Sequence, residues 1–220
     1  MGKHHSPEIK KMAAEYQKKI LYNYVVYMNR IHTFGDSHSF FGWNKNIIKH
    51  RIGPILCYSF GKEKLKRLDI KNYDVKQGDS VIFCFGEIDC RCHIHKHISK
   101  SLTYQNIIDN IIKNYIEAIL LNTKEIDVKV CIYNVVPPTQ KHNTAENPYY
   151  PYLGSDDERK KYVLYFNKML KKYCILHNFI FFDVYNNYTD KNGFLSKKLS
   201  DGNVHIRNGV FIDKFIAENM

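Results

Sequence analysis

The run Val81-Ile82-Phe83-Cys84-Phe85 is apolar at every position, opens after Asp79-Ser80 and stops at Gly86. A strand with one wet face alternates between apolar and polar residues. A strand with none reads as a continuous apolar run, and such strands belong in parallel sheets covered on both faces. A covering layer follows at once, because residues 102–121 carry Ile108, Ile111, Ile112, Tyr115 and Ile119 as a helical stripe. Further strands are expected at residues 30–34, 55–60, 128–135 and 179–184, with short helical or irregular segments between them. Ser155 and Glu158 form a capping-box pair ahead of a helix expected to run to about Cys174. Strands alternating with helices predict an α/β fold. The expected form is a doubly wound parallel sheet of about five strands.

At 220 residues the chain suits a single domain spanning residues 1–220, with residues 7–29 as a helical extension ahead of the first strand. No segment approaches the roughly 20 apolar residues of a membrane span, so no membrane association is expected. Six cysteines are spread through expected strands and helices, a pattern of reduced thiols in a cytoplasmic protein. Net charge is +11, but the lysines are dispersed and no nucleic-acid reading motif accompanies them. No specific nucleic-acid partner is expected.

Right-handed crossovers bring the strand-end loops to one edge of such a sheet. Ser37 follows the first strand in Phe34-Gly35-Asp36-Ser37-His38-Ser39 and is the candidate nucleophile. Asp201 and His205 come late in the chain, in the order Ser, Asp, His. Acyl transfer needs a nucleophile, a base within reach and donors for the developing oxyanion. His205 is the expected base and Asp201 its orienting acid. The Ser37 and Gly61 N–H groups, with a polar side chain from the end of the third strand, are the expected oxyanion donors. A serine at a helix start is also a common N-cap.

The pattern resembles the SGNH/GDSL hydrolase family. Gly35-Asp36-Ser37 is similar to its first block, Gly61 falls at its oxyanion glycine, and Gly86-Glu87-Ile88-Asp89 stands where its third block reads Gly-x-Asn-Asp. Ser200-Asp201-Gly202-Asn203-Val204-His205 is similar to the last block. The resemblance runs from Arg30 onward and is strongest to a branch with Gly-Glu-Ile-Asp-Cys-Arg at the third block. It implies a three-layer, flavodoxin-like α/β/α sandwich and an esterase or acyl-group chemistry needing no cofactor and no metal. Two departures stand out. Ile88 replaces an oxyanion-donating asparagine, a loss worth roughly 2.7–4 kcal/mol of transition-state stabilisation, which Arg91 or a backbone N–H could offset. Asp201 lies four residues before His205 instead of three, so either the loop bulges or the acid is absent.

Glu87, Asp89 and Arg91 are expected either to contact substrate or to form a buried ion-pair network at the sheet edge. The Cys90-Arg91-Cys92-His93-Ile94-His95-Lys96-His97 segment holds zinc-type ligands, but without finger spacing, so no metal site is assigned. His38 is expected to line the site rather than act as base. The leading expectation is a serine esterase acting on a small O-acyl group of a small molecule or glycan, with the tyrosine-rich loop at residues 149–152 as a stacking wall. An acyltransferase on the same fold, or a silent glycan-binding or structural module, are the alternatives.

Overall fold

A computed structural model of the chain describes residues 11–12, 15–16, 30–144 and 147–220. Of the expected extension at residues 7–29, only Lys11, Met12, Glu15 and Tyr16 are described, all helical; the rest lies outside the described residues. Ile31–Met220 form one compact unit.

Five parallel strands make one sheet: β1 (Ile31–Gly35), β2 (Ile48–Arg51), β3 (Ser80–Cys84), β4 (Lys129–Tyr133) and β5 (Ile180–Phe182), in the order β2-β1-β3-β4-β5. This is the doubly wound order, with β1 and β3 flanking the point where the winding reverses. One face carries Phe34, Val81, Phe83 and Ile132 against α1 (Cys57–Glu63), α3 (Tyr104–Thr123) and α4 (Asp156–His177). The other carries Ile82, Cys84, Tyr133 and Phe182 against Trp43, α5 (Tyr185–Tyr188) and α6 (Val210–Asn219). The strand β3 is buried along its whole length, as its unbroken apolar run requires.

The expected second strand at residues 55–60 is corrected. Those residues lead into the helix α1, and the second strand is β2, seven residues earlier than expected. The cause is tertiary. The buried Asp89 carboxylate accepts the N–H groups of Cys57 (2.6 Å) and Tyr58 (3.0 Å), satisfying the start of a helix that its own residues leave uncapped. Cys57, Phe60 and Gly61 then form its buried face at helical spacing. Gly61 is where α1 meets α3: a Cβ there would stand 2.9 Å from the backbone nitrogen of Tyr115.

Downstream, Asp89–His93 winds as a π-helix into α2 (Ile94–His97). The helix α4 begins with the expected capping box between Ser155 and Glu158, and ends at Asn178 in left-handed conformation, one turn beyond the expected end.

Candidate functional site

Ser37 stands where β1 ends, at the first position of a short 3-10 turn over Ser37–Ser39. The turn is capped by Asp36, whose carboxylate accepts the N–H of His38 at 2.8 Å. Ser37 is therefore not its own cap, and its hydroxyl faces the C-terminal loop. There His205 Nε2 lies 2.8 Å from Ser37 Oγ, and His205 Nδ1 lies 2.7 Å from Asp201 Oδ2. A carboxylate only accepts, so it fixes the proton of the neutral ring on Nδ1 and leaves Nε2 as acceptor for the serine O–H.

The four-residue separation of Asp201 and His205 is accommodated by a turn that closes on itself. Asp201 Oδ1 accepts the N–H groups of Asn203 (2.8 Å) and His205 (3.2 Å), while the Asp201 N–H donates to the His205 carbonyl at 3.0 Å. Gly202, inside the turn, has φ of +85°. Burial opposes charge on Asp201, but the hydrogen bonds from His205 and from these N–H groups prevail and hold its pKa below the ordinary value. Burial and the nearby charge of His38 lower the pKa of His205, against the opposing pull of Asp201.

His38 occupies a different place from the one its sequence position suggested. It is buried behind His205, with Nδ1 3.0 Å from Asp36 Oδ1 and Nε2 3.1 Å from the Val204 carbonyl oxygen. Both partners are acceptors, a setting that favours the doubly protonated, cationic ring. Burial works against that charge, yet the Asp36 ion pair outweighs it and raises the pKa. On its open side His205 is covered by Phe41, whose ring stacks on the imidazole at 4.3 Å and 26°.

A cavity of about 290 Å³ opens at this group, lined by Ser37, His205 and Phe41 together with Ile88, Arg91 and Tyr150. A larger cavity of about 390 Å³, lined by Tyr58, His93, Asn106 and Asn110, lies among α1, α2 and α3 and contains none of these groups. Of the two, the smaller is the one that Ser37 and His205 line.

Of the other expected site residues, Arg91 reaches the cavity and three do not line it. Gly61 is inside α1 against α3, so it is corrected from oxyanion donor to a packing position. Asp89 is fully buried as the cap of α1; burial drives its pKa up to about 7 against the two N–H bonds it accepts. Glu87 pairs with Arg91, at 2.9 Å to Nε and 3.0 Å to Nη2, and Arg91 also donates to the Tyr150 carbonyl at 3.0 Å. Glu87 and Arg91 are thus the ion-pair network rather than two free substrate contacts. The Cys92–His97 donors diverge: Cys92 bonds the Ile88 carbonyl, His93 packs between Tyr58 and His97, and His95 bonds Tyr162.

Sequence reasoning missed Gly53. It lies between Arg51 and Pro54, which both line the cavity, and its φ of +123° is a value that residues with side chains rarely adopt. Its signal is the Gly-Pro pair that closes a short strand, which the apolar run at residues 55–60 obscures. Arg51, Asn147 and Asn203 also line the cavity and had no motif to mark them.

Among solved structures, a GDSL-like lipase from Bacteroides thetaiotaomicron matches with a TM-score of 0.59 over 86% of this chain and 86% of its own, at 16% identity. The chain has the GDSL hydrolase fold. An M. smegmatis aryl esterase shares that fold at a TM-score of 0.54, 12% identity, and coverage of 87% and 100%. An acetyl xylan esterase does so at 0.54, 16% identity, and coverage of 86% and 99%. The sequence matches no family model and no curated protein. Ile88 lines the cavity with an apolar side chain.

Proposed function

We propose that the chain is a serine-dependent carboxylic ester hydrolase that removes a small O-acyl group. The observation that carries this reading is the continuous hydrogen-bonded series from Ser37 through His205 to Asp201, at 2.8 and 2.7 Å, open to a cavity. Ser37 Oγ attacks the ester carbonyl while His205 Nε2 takes its proton, and Asp201 stabilises the imidazolium that forms. The Ser37 and Gly53 N–H groups are the proposed donors to the oxyanion, with the Arg91 guanidinium facing the same cavity in place of the amide absent at Ile88. His205 then returns the proton to the leaving alcohol. Water, activated by the same imidazole, releases the acid and restores Ser37.

A cavity of about 290 Å³ fits a short acyl chain. A sugar as the alcohol part is supported by Tyr150 at the cavity wall, with Tyr149 exposed beside it in sequence, and by the fold shared with an acetyl xylan esterase. An intracellular setting is supported by six unpaired cysteines, five of them buried. No helix among the described residues is long and apolar enough to cross a membrane.

The test is covalent labelling. A serine-reactive fluorophosphonate should modify Ser37, located by mass spectrometry, and acetate should be released from p-nitrophenyl acetate. Labelling elsewhere, or turnover retained in Ser37→Ala, overturns the reading.

A further inference from the structure

Arg51 is the last residue of β2, and its side chain lines the Ser37 cavity. Strand alternation separates it from its neighbour His50. The His50 ring stacks on Phe34 at 4.4 Å and meets His32 at 3.1 Å. Lys49 and Arg51 therefore share the opposite face, where Lys49 Nζ lies 5.4 Å from the centre of the Phe40 ring.

The two arginines of the cavity differ in their charge balance. The charge of Arg91 is matched by Glu87 across two short contacts. The Arg51 guanidinium has no ion pair or side-chain hydrogen bond with any described residue. No Asp or Glu among the described residues lines the cavity with it. The acid nearest the chemistry, Asp201, is already committed to His205. An unmatched, exposed guanidinium thus stands at the mouth of a site whose other lining groups are neutral or internally balanced. Its planar fork suits two-point binding of a carboxylate or phosphate oxygen pair.

Resting on the esterase reading above, we infer that the substrate carries an anionic group, a carboxylate or a phosphate, close to the acylated hydroxyl, and that Arg51 selects for it. The preferred esters are then acylated acidic molecules, with acidic sugars among them, rather than neutral ones.

The experiment compares three acetate esters that differ in charge: phenyl acetate, 3-acetoxybenzoate and 3-acetoxyphenyl phosphate. Each rate is divided by its rate of alkaline hydrolysis to remove leaving-group effects. The wild-type kcat/KM should favour at least one anionic ester by about tenfold or more, as a charge-assisted hydrogen bond allows. The two anionic arms distinguish carboxylate from phosphate. The preference should shrink towards unity in 0.5 M sodium chloride and in Arg51→Gln, with partial recovery in Arg51→Lys. A ratio near unity in the wild type, or a ratio unchanged in Arg51→Gln, overturns the inference.

Binding separates this inference from the esterase reading. Calorimetry on Ser37→Ala should show tighter binding of an anionic ester than of phenyl acetate, and Arg51→Gln in that background should weaken the anionic ester about tenfold. That result without turnover of any ester would retain the inference and remove the esterase reading. Turnover without charge preference would do the reverse.

Discussion

The rings of His38 and His205 lie 5.2 Å apart, centre to centre, and only His205 faces the serine. His38 is held between Asp36 and the Val204 carbonyl, two acceptors that favour its cationic form, and the proposed base stands beside it. In the proposed mechanism the neutral form of His205 is the base, and burial together with the nearby charge of His38 lowers its pKa from 6.5. Activity should therefore persist below pH 6.5 and be lost as pH falls through the depressed value. Replacing His38 with Gln removes the lowering influence of His38 and leaves Asp201 and Glu87, which raise the pKa, acting on His205. Its pKa should rise, moving the acid limb of kcat/KM to higher pH. An unmoved limb, or one displaced to lower pH, refutes the coupling.

Ser37→Ala should abolish ester hydrolysis and leave thermal unfolding nearly unchanged, because Asp36 rather than Ser37 caps the turn. His205→Ala should be comparably damaging, and the double variant no worse, since members of one catalytic unit are non-additive. Kinetics and melting curves on the three proteins test this; additive losses would show that the two side chains act separately.

Asp201→Asn should reduce kcat between about a hundredfold and ten-thousandfold. An amide can still accept the N–H groups of Asn203 and His205 through its oxygen. Its NH2 would then face His205 Nδ1 and force the ring proton onto Nε2, where it blocks the serine. A loss below tenfold, with the loop intact by crystallography, would remove Asp201 as the orienting acid.

Asp89→Ala should destabilise the fold without a direct effect on chemistry. It leaves the buried N–H groups of Cys57 and Tyr58 without an acceptor, at about 1–3 kcal/mol for each unpaired group. Gly61→Ala should also destabilise, by about 1–3 kcal/mol, since α1 and α3 must separate to admit the methyl group. Denaturant unfolding reads both effects. Catalytic rates of Gly61→Ala, measured where it remains folded, should match the wild type; a specific kcat loss would return Gly61 to the site.

Legibility followed burial. The strand β3 and the helices α3 and α4 were readable because each is dominated by one covering environment, which leaves a clean period in the sequence. The strand β2 is an edge strand of four half-buried or exposed residues, Ile48-Lys49-His50-Arg51, and carries almost no apolar signal. The apolar run at residues 55–60 supplied a false one, because its helical state is set by a carboxylate 32 residues downstream. That misplacement carried the expected oxyanion glycine with it, to Gly61 in place of the Gly53 proposed above. Ser37, Asp201 and His205 were legible because strand ends converge whatever the register of one edge strand. Arg51 and Phe41 were not, since their presence at the cavity depends on how the loops fold over it.

The closed turn from Asp201 to His205 makes the acid and the base a single rigid piece. Two side chains that must agree in position to a fraction of an ångström are set by five consecutive residues through their own backbone hydrogen bonds. Long-range folding then has one distance left to get right, from His205 to Ser37. In the proposed mechanism a shift of this loop would part Ser37 from His205 while the imidazole kept its partner Asp201.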